Sequence, residues 1–159
     1  LATKMAVAFM NRVKEWFEEN GVVACVPSND KRFHQVIENG VYGSNWSERH
    51  VAYLCGLGTF GLSKGIITEK GMAGRFMSII ISEELAADVR PYTGVYDYCT
   101  NCGACIRRCP AEAITFEEGK DHKKCDAWNK KIGEMHKPRF GCGLCQVKVP
   151  CETKIPARR

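Results

Sequence analysis

The chain has 159 residues, of which 45% are hydrophobic and 26% charged. That balance is ordinary for a globular protein and excludes a fibrous repeat or a wholly disordered tail. Its formal charge is +5, and its ten cysteines are the outlying count. No apolar run approaches the ~20 residues that a membrane-crossing helix needs. The first segment mixes Lys4, Arg12, Lys14, Glu15, Glu18 and Glu19 with its apolar residues, which is unlike a signal peptide. A cytoplasmic setting and reduced thiols are therefore expected. The chain does not begin with Met, so a piece of something longer is expected.

Met5, Phe9, Val13, Trp16 and Phe17 recur at helical spacing, which predicts an amphipathic helix from about Ala2 to Glu19, stopped by Asn20-Gly21. Val22–Val26 reads as a short buried strand that ends in the Pro27-Ser28-Asn29-Asp30 turn. Lys31–Glu38 fits either a helix or a strand. Asn45 with Glu48 three residues on resembles a capping box, opening a helix from Trp46 to Cys55. Gly56, Gly58, Gly61 and Gly65 predict a glycine-rich loop, and Phe76–Ile81 a second buried strand.

Composition changes near Pro91–Tyr98. Residues 1–94 hold 10 basic and 10 acidic side chains, whereas residues 95–159 hold 13 and 8, the whole of the excess. The second part also contains eight of the ten cysteines and little Leu, Ile or Val. Apolar burial alone would not hold such a segment together, so another staple is expected. We therefore expect an α+β protein, with a partial α/β segment (1–94) fused to a C-terminal module (95–159) organised by its cysteines.

The staple is legible in the spacing. Cys99, Cys102, Cys105 and Cys109, followed by Pro110, match C-x2-C-x2-C-x3-C-P without a mismatch. This is the bacterial ferredoxin pattern for a [4Fe–4S] cluster, whose fourth cysteine serves the other cluster of a pair. A loop with two residues between thiolates wraps three corners of a cubane and turns backbone N–H groups towards its sulfides. A second set is present. Cys142 and Cys145 repeat the C-x2-C spacing, with Cys125 upstream and Cys151 downstream. Exchange assigns Cys99, Cys102, Cys105 and Cys151 to the first cluster and Cys109, Cys125, Cys142 and Cys145 to the second. Two zinc ions on eight cysteines are the rival, but the third x2 cysteine and the Cys-Pro ending are not zinc-ribbon features.

Each oxidised cluster with four thiolates carries roughly −2, so two bring the segment to about +1. Arg107, Arg108, Lys123, Lys124, Lys130 and Lys131 then read as a solvated, charge-compensating face, and nucleic-acid binding becomes a minor option. Cys25 and Cys55 are expected as small buried apolar residues, and His50 as a packed or surface residue.

Trp46-Ser-Glu-Arg-His-Val-Ala-Tyr-Leu-Cys-Gly-Leu-Gly-Thr-Phe-Gly61, then Ile66–Phe76 and the two cysteine sets, resemble double-cluster ferredoxin-type proteins grouped with epoxyqueuosine reductases. The ending Cys142–Pro156 resembles the subgroup whose last ligand follows a proline. Epoxyqueuosine reductases use cobalamin and two [4Fe–4S] clusters to deoxygenate a modified tRNA base. The resemblance implies that Gly56, Gly58 and Gly61 lie nearest a corrinoid; the residues alone read equally well as a tight connection. Six residues before Glu48 the reductases carry an aspartate as proton donor, where this chain has Tyr42. Their proline three residues later is Asn45 here. Tyr42 is thus the one catalytic candidate, a much weaker acid with an ordinary pKa near ~10.

The expected function is single-electron transfer through two [4Fe–4S] clusters between a redox donor and an acceptor protein. The alternative is a cobalamin-dependent reductase. A structural cluster domain that binds nucleic acid, such as tRNA, stands third.

Overall fold

The computed structural model describes residues 2–38, 41–138 and 141–157. It is a mixed helix and strand structure with four small two-stranded antiparallel sheets among the described residues.

Helix α1, Ala2–Glu19, forms as the spacing predicts and ends where Gly21 takes a φ of +79°. Its buried side differs from the expected stripe. Met10 is buried and Phe17 half-buried, whereas Met5, Phe9 and Trp16 are exposed. The helix packs against a narrow two-stranded sheet, which covers part of its apolar surface. That sheet pairs β1 (Ala24–Cys25) with β6 (Ile80–Ile81). Both strands are shorter than the apolar runs containing them. Val23 points outward, and Pro27, which starts a 3-10 turn over Pro27–Asn29, fixes φ and ends β1.

The ambiguous Lys31–Glu38 segment resolves as a turn followed by strand from Gln35 onward. Strand β2 (Gln35–Glu38) pairs with β3 (Val41–Ser44) in register Gln35 to Ser44; the link at 39–40 lies outside the described residues. The capping box does not form. Asn45 accepts a bond from the His34 N–H at 3.0 Å and donates to the Arg32 carbonyl at 2.9 Å, so its side chain closes the hairpin base instead. Helix α2 therefore starts later, at Glu48, and runs to Leu54. Ser47 precedes it, its hydroxyl bonded to His50 Nδ1 at 2.7 Å.

The glycine-rich stretch is a hairpin rather than a loop. Strand β4 (Gly58–Phe60) pairs with β5 (Ile66–Thr68). A Cβ on Gly58 would sit 2.1 Å from the Ile67 carbonyl oxygen, so only glycine permits this approach. Thr59, Ser63, Ile66 and Ile67 are almost wholly buried. Tyr92 reaches this hairpin, accepting a bond from the Gly58 N–H at 3.3 Å and donating to the Tyr53 carbonyl at 2.5 Å.

The hairpin is the floor on which the cysteine-rich part is built. Ile67, Met72 and Val149 form the core, and Tyr98, Cys99, Ala104, Cys151 and Ile155 pack against it. This core spans the composition boundary. The Phe60 N–H bonds the Val95 carbonyl at 2.8 Å, and Thr59 Oγ1 accepts from the Tyr98 N–H at 2.9 Å. Beyond lie α3 (Ala104–Arg107), the β7–β8 hairpin (Ile114–Thr115 with Gly119–Lys120) and α4 (His122–Met135).

Candidate metal centres

The cysteine loop begins where Tyr98 is tied to Thr59. Asn101 (φ +50°) and Gly103 (φ +69°) then turn the chain twice, and α3 follows at once. The turns carry Cys99, Cys102 and Cys105 round one side of an apolar cavity. Cys151, distant in sequence, completes its lining with Gly61 and Met72.

Cys151 reaches the cavity because its backbone docks on the segment after β5. The Met72 N–H bonds the carbonyls of Cys151 and Glu152, each at 3.0 Å, and the Ala73 N–H bonds Glu152 at 3.2 Å. The Cys151 thiol donates to Met72 Sδ at 3.2 Å. Gly71 makes this contact possible. Its φ is +82°, and a Cβ there would lie 2.1 Å from the Glu152 carbonyl oxygen.

Burial pushes the Cys105 thiol up to about 11, and the nearby Cys99 adds to the shift. Burial also pushes Cys151 up to about 11, opposed by a backbone bond and reinforced by Cys105, Cys102 and Cys99. The four sulfurs are thus electrostatic neighbours that resist ionising together without a cation.

Cys109, Cys125, Cys142 and Cys145 form a second set of electrostatic neighbours. Burial raises the Cys125 thiol, the Lys120 charge opposes it, and Cys109 and Cys142 raise it further. Burial raises Cys145 too, with Lys120 opposing and Cys125, Cys142 and Cys109 reinforcing. The Ala113 N–H donates to Cys109 Sγ at 3.3 Å. Asn129 bridges two cysteines. Its amide donates to Cys125 Sγ at 3.7 Å, and its oxygen accepts from the Cys142 N–H at 2.9 Å. Asp121 caps α4 by accepting from the Lys123 and Lys124 N–H groups at 2.8 and 3.2 Å, fixing the turn that carries Cys125. Cys145 also acts on Cys105, so the two groups adjoin.

Among the described residues no three His, Cys, Asp or Glu side chains gather tightly enough to hold one metal ion. A cubane asks for a different spacing, with thiolates set apart at its corners. Neighbouring thiols, with backbone and amide N–H groups aimed at Cys109 and Cys125 sulfur, are donors of the kind a cluster needs.

Cys25 and Cys55 lie apart from both groups. Cys25 is half-buried beside the Asp30–Arg32 pair, and Cys55 is exposed, contrary to the expected burial. Cys55 ends α2 at the surface, where no apolar layer covers it. Of the basic residues expected on a solvated face, Arg107, Lys123, Lys124, Lys130 and Lys131 are exposed. Arg108 is instead half-buried, and its Nε–H bonds the Leu144 carbonyl at 3.0 Å.

Tyr42 stands on β3 and donates to Asp126 Oδ2 on α4 at 3.0 Å. It lines an open cleft of about 800 Å³ with Arg49, His50, Phe60, Lys64 and His122. Gly58 and Gly61 are buried in or beside the β4–β5 hairpin, and Gly56 is half-buried against Arg90. Sequence reasoning passed over Asn129, Lys120 and Asp126, because each acquires its neighbours only through folding.

Residues 92–115 match the family model of the 4Fe-4S binding domain. That match and the thiol geometry define the class: an iron–sulfur protein with a ferredoxin-like module. The relatives are more particular. An epoxyqueuosine reductase of Leadbetterella byssophila is 34% identical over 106 residues, covering 60% of this chain and 33% of that protein. One from Cellulophaga algicola is 30% identical over the same shares. One from Listeria monocytogenes is 25% identical over 130 residues, covering 76% and 32%. The chain is similar to epoxyqueuosine reductases over part of its length, and it spans about a third of the length of these relatives. No solved structure matches it. Among the described residues no helix is long and apolar enough to cross a membrane.

Proposed function

We propose that the chain holds two [4Fe–4S] clusters and moves single electrons between a redox donor and an acceptor, as a component or domain of a reductase. Cys99, Cys102, Cys105 and Cys151 hold the first cluster, and Cys109, Cys125, Cys142 and Cys145 the second. The supporting observation is the sorting of eight thiols into two adjoining groups of four, one of them lining a single cavity. When bound, the clusters supply reversible one-electron chemistry.

The residues tune that chemistry. Met72 and Ile67 keep water from the first group, and the Ala113 N–H and Asn129 amide stabilise negative charge on the second. Lys120 adds a positive charge beside Cys125 and Cys145. In this reading residues 95–159 form the cluster-bearing domain, with residues 1–94 supplying its floor and part of a larger cofactor-facing domain. Anaerobic reconstitution should load about eight iron and eight inorganic sulfide per chain, with EPR signals of two interacting reduced clusters. Loading of about four would refute the dicluster reading.

The second reading, a cobalamin-dependent reductase, is favoured by the names of the relatives and by the cleft that Tyr42 lines. Gly56, Gly58 and Gly61 would line its corrinoid side in that reading, although the Cβ positions of Gly58 and Gly61 face Ile67, which favours their role as a tight connection. Titration with cob(II)alamin under EPR separates the readings. A cobalt signal changed to an axially altered, protein-bound form supports the reductase. An unchanged free signal beside intact cluster signals supports electron transfer alone.

A further inference from the structure

The cleft between the β2–β3 hairpin, α2 and the start of α4 carries a charge pattern that electron transfer does not use. Arg49, Lys64 and His122 line it, and Lys120 stands close behind. Arg49 donates from Nη1 to the Lys64 carbonyl at 2.7 Å, which brings these two residues together. Lys64 itself sits in a left-handed turn, φ +55°. Burial, then the charges of Lys120, Lys64 and Arg49, push the His122 pKa down, and the Asp121 charge opposes them only in part.

The carboxylates at the rim are engaged elsewhere. Asp121 caps α4, and Asp126 pairs with Lys130 at 2.8 Å while accepting from Tyr42. Among the described residues no ion pair joins Arg49, Lys64, Lys120 or His122 to an acid. The remaining wall is aromatic, with Tyr42, Phe60 and Tyr96. Guanidinium and ammonium groups beside flat rings suit a ligand with a phosphate at one end and a π-system at the other.

We infer that this cleft is a binding site for an aromatic mononucleotide, its phosphate held by Arg49, Lys64 and His122 and its ring laid against Tyr42 and Tyr96, whose side chains are exposed there. The volume of about 800 Å³ accommodates one such molecule. Lys120, beside both the cleft and the second thiol group, places the ligand next to the expected second cluster. A redox-active mononucleotide there would be within reach of electrons leaving the chain.

The test is calorimetric titration of the cluster-loaded chain with FMN and AMP, against riboflavin and adenosine, with iron content measured on each sample. FMN and AMP should bind at least about tenfold more tightly than their phosphate-free counterparts. Lys64→Asn and His122→Gln should each weaken the phosphorylated ligands about tenfold and leave riboflavin unchanged. Circular dichroism checks that both variants fold; Lys64→Asn suits the left-handed position. Equal affinity with and without phosphate would overturn the inference, as would no binding by an iron-replete sample. Tight binding of a single-stranded RNA with none of AMP would also overturn it, assigning the cations to a nucleic-acid track. A sample that fails to load iron bears instead on the proposed function.

Discussion

Cys151 touches Met72 Sδ at 3.2 Å and faces Cys99, Cys102 and Cys105 across one cavity, so its sulfur belongs with thiols far from it in sequence. Cys151→Ala should therefore remove one cluster and spare the other. Iron should fall from about eight to about four per chain, with one EPR signal retained. Equal loss of both signals would count against the partition. Cys25→Ser and Cys55→Ser should leave the iron content unchanged, because neither thiol approaches either group. The residue scale is where the sequence was most legible. C-x2-C-x2-C-x3-C-P states its chemistry locally, since neighbouring thiols share a cluster by loop geometry alone. Asn45 was misread for the same reason in reverse. An Asn three residues before Glu signals a cap, but a hairpin base offered its amide better partners.

The β4–β5 hairpin and the turn after it are the elements on which the first group depends. Gly71 lets that turn meet the Glu152 backbone, and the Met72 N–H then holds Cys151 in place. Gly71→Ala should cost at least about 2 kcal/mol through φ strain and backbone collision. The same variant should lose the first cluster preferentially, read as halved iron and a lowered unfolding midpoint. If the midpoint falls while the iron content holds, the docking of Cys151 does not depend on this turn. The sequence marked the glycines without their purpose. Periodicity cannot tell a glycine that faces a cofactor from one that lets two backbones touch, because the partner carbonyl comes from another element. The short strands β1 and β6 illustrate a related limit. Apolar runs mark what is buried, whereas pairing length depends on how much partner strand folding supplies.

Across the whole molecule, the thiols and their pKa values make loading a proton-linked process. Burial pushes the Cys105 and Cys151 thiols up to about 11, from 9.0. Their neutral form is the one the fold favours, so this stabilisation is complete below about pH 9. It is lost as pH climbs through about 11. Cluster assembly runs the other way. It consumes thiolates and must expel the protons, so reconstitution should release acid and speed up from pH 7 to 9. Proton release that stays near zero on loading would show that the folded thiols are already ionised.

The cysteine spacing by itself determined the iron–sulfur class, because cluster ligation demands thiolates at short, fixed separations that any reader of the chain can count. It also marked the change in composition near residue 95, since a segment with so few aliphatic residues needs a metal staple. Tertiary structure alone decided that the core at Ile67, Met72 and Val149 crosses that boundary. It also turned the glycine stretch into a floor, and it gathered Arg49, Lys64, Lys120 and His122 at one cleft. These outcomes rest on contacts between residues remote in sequence, and such contacts exist only once apolar burial has brought the hairpin, α2 and α4 together.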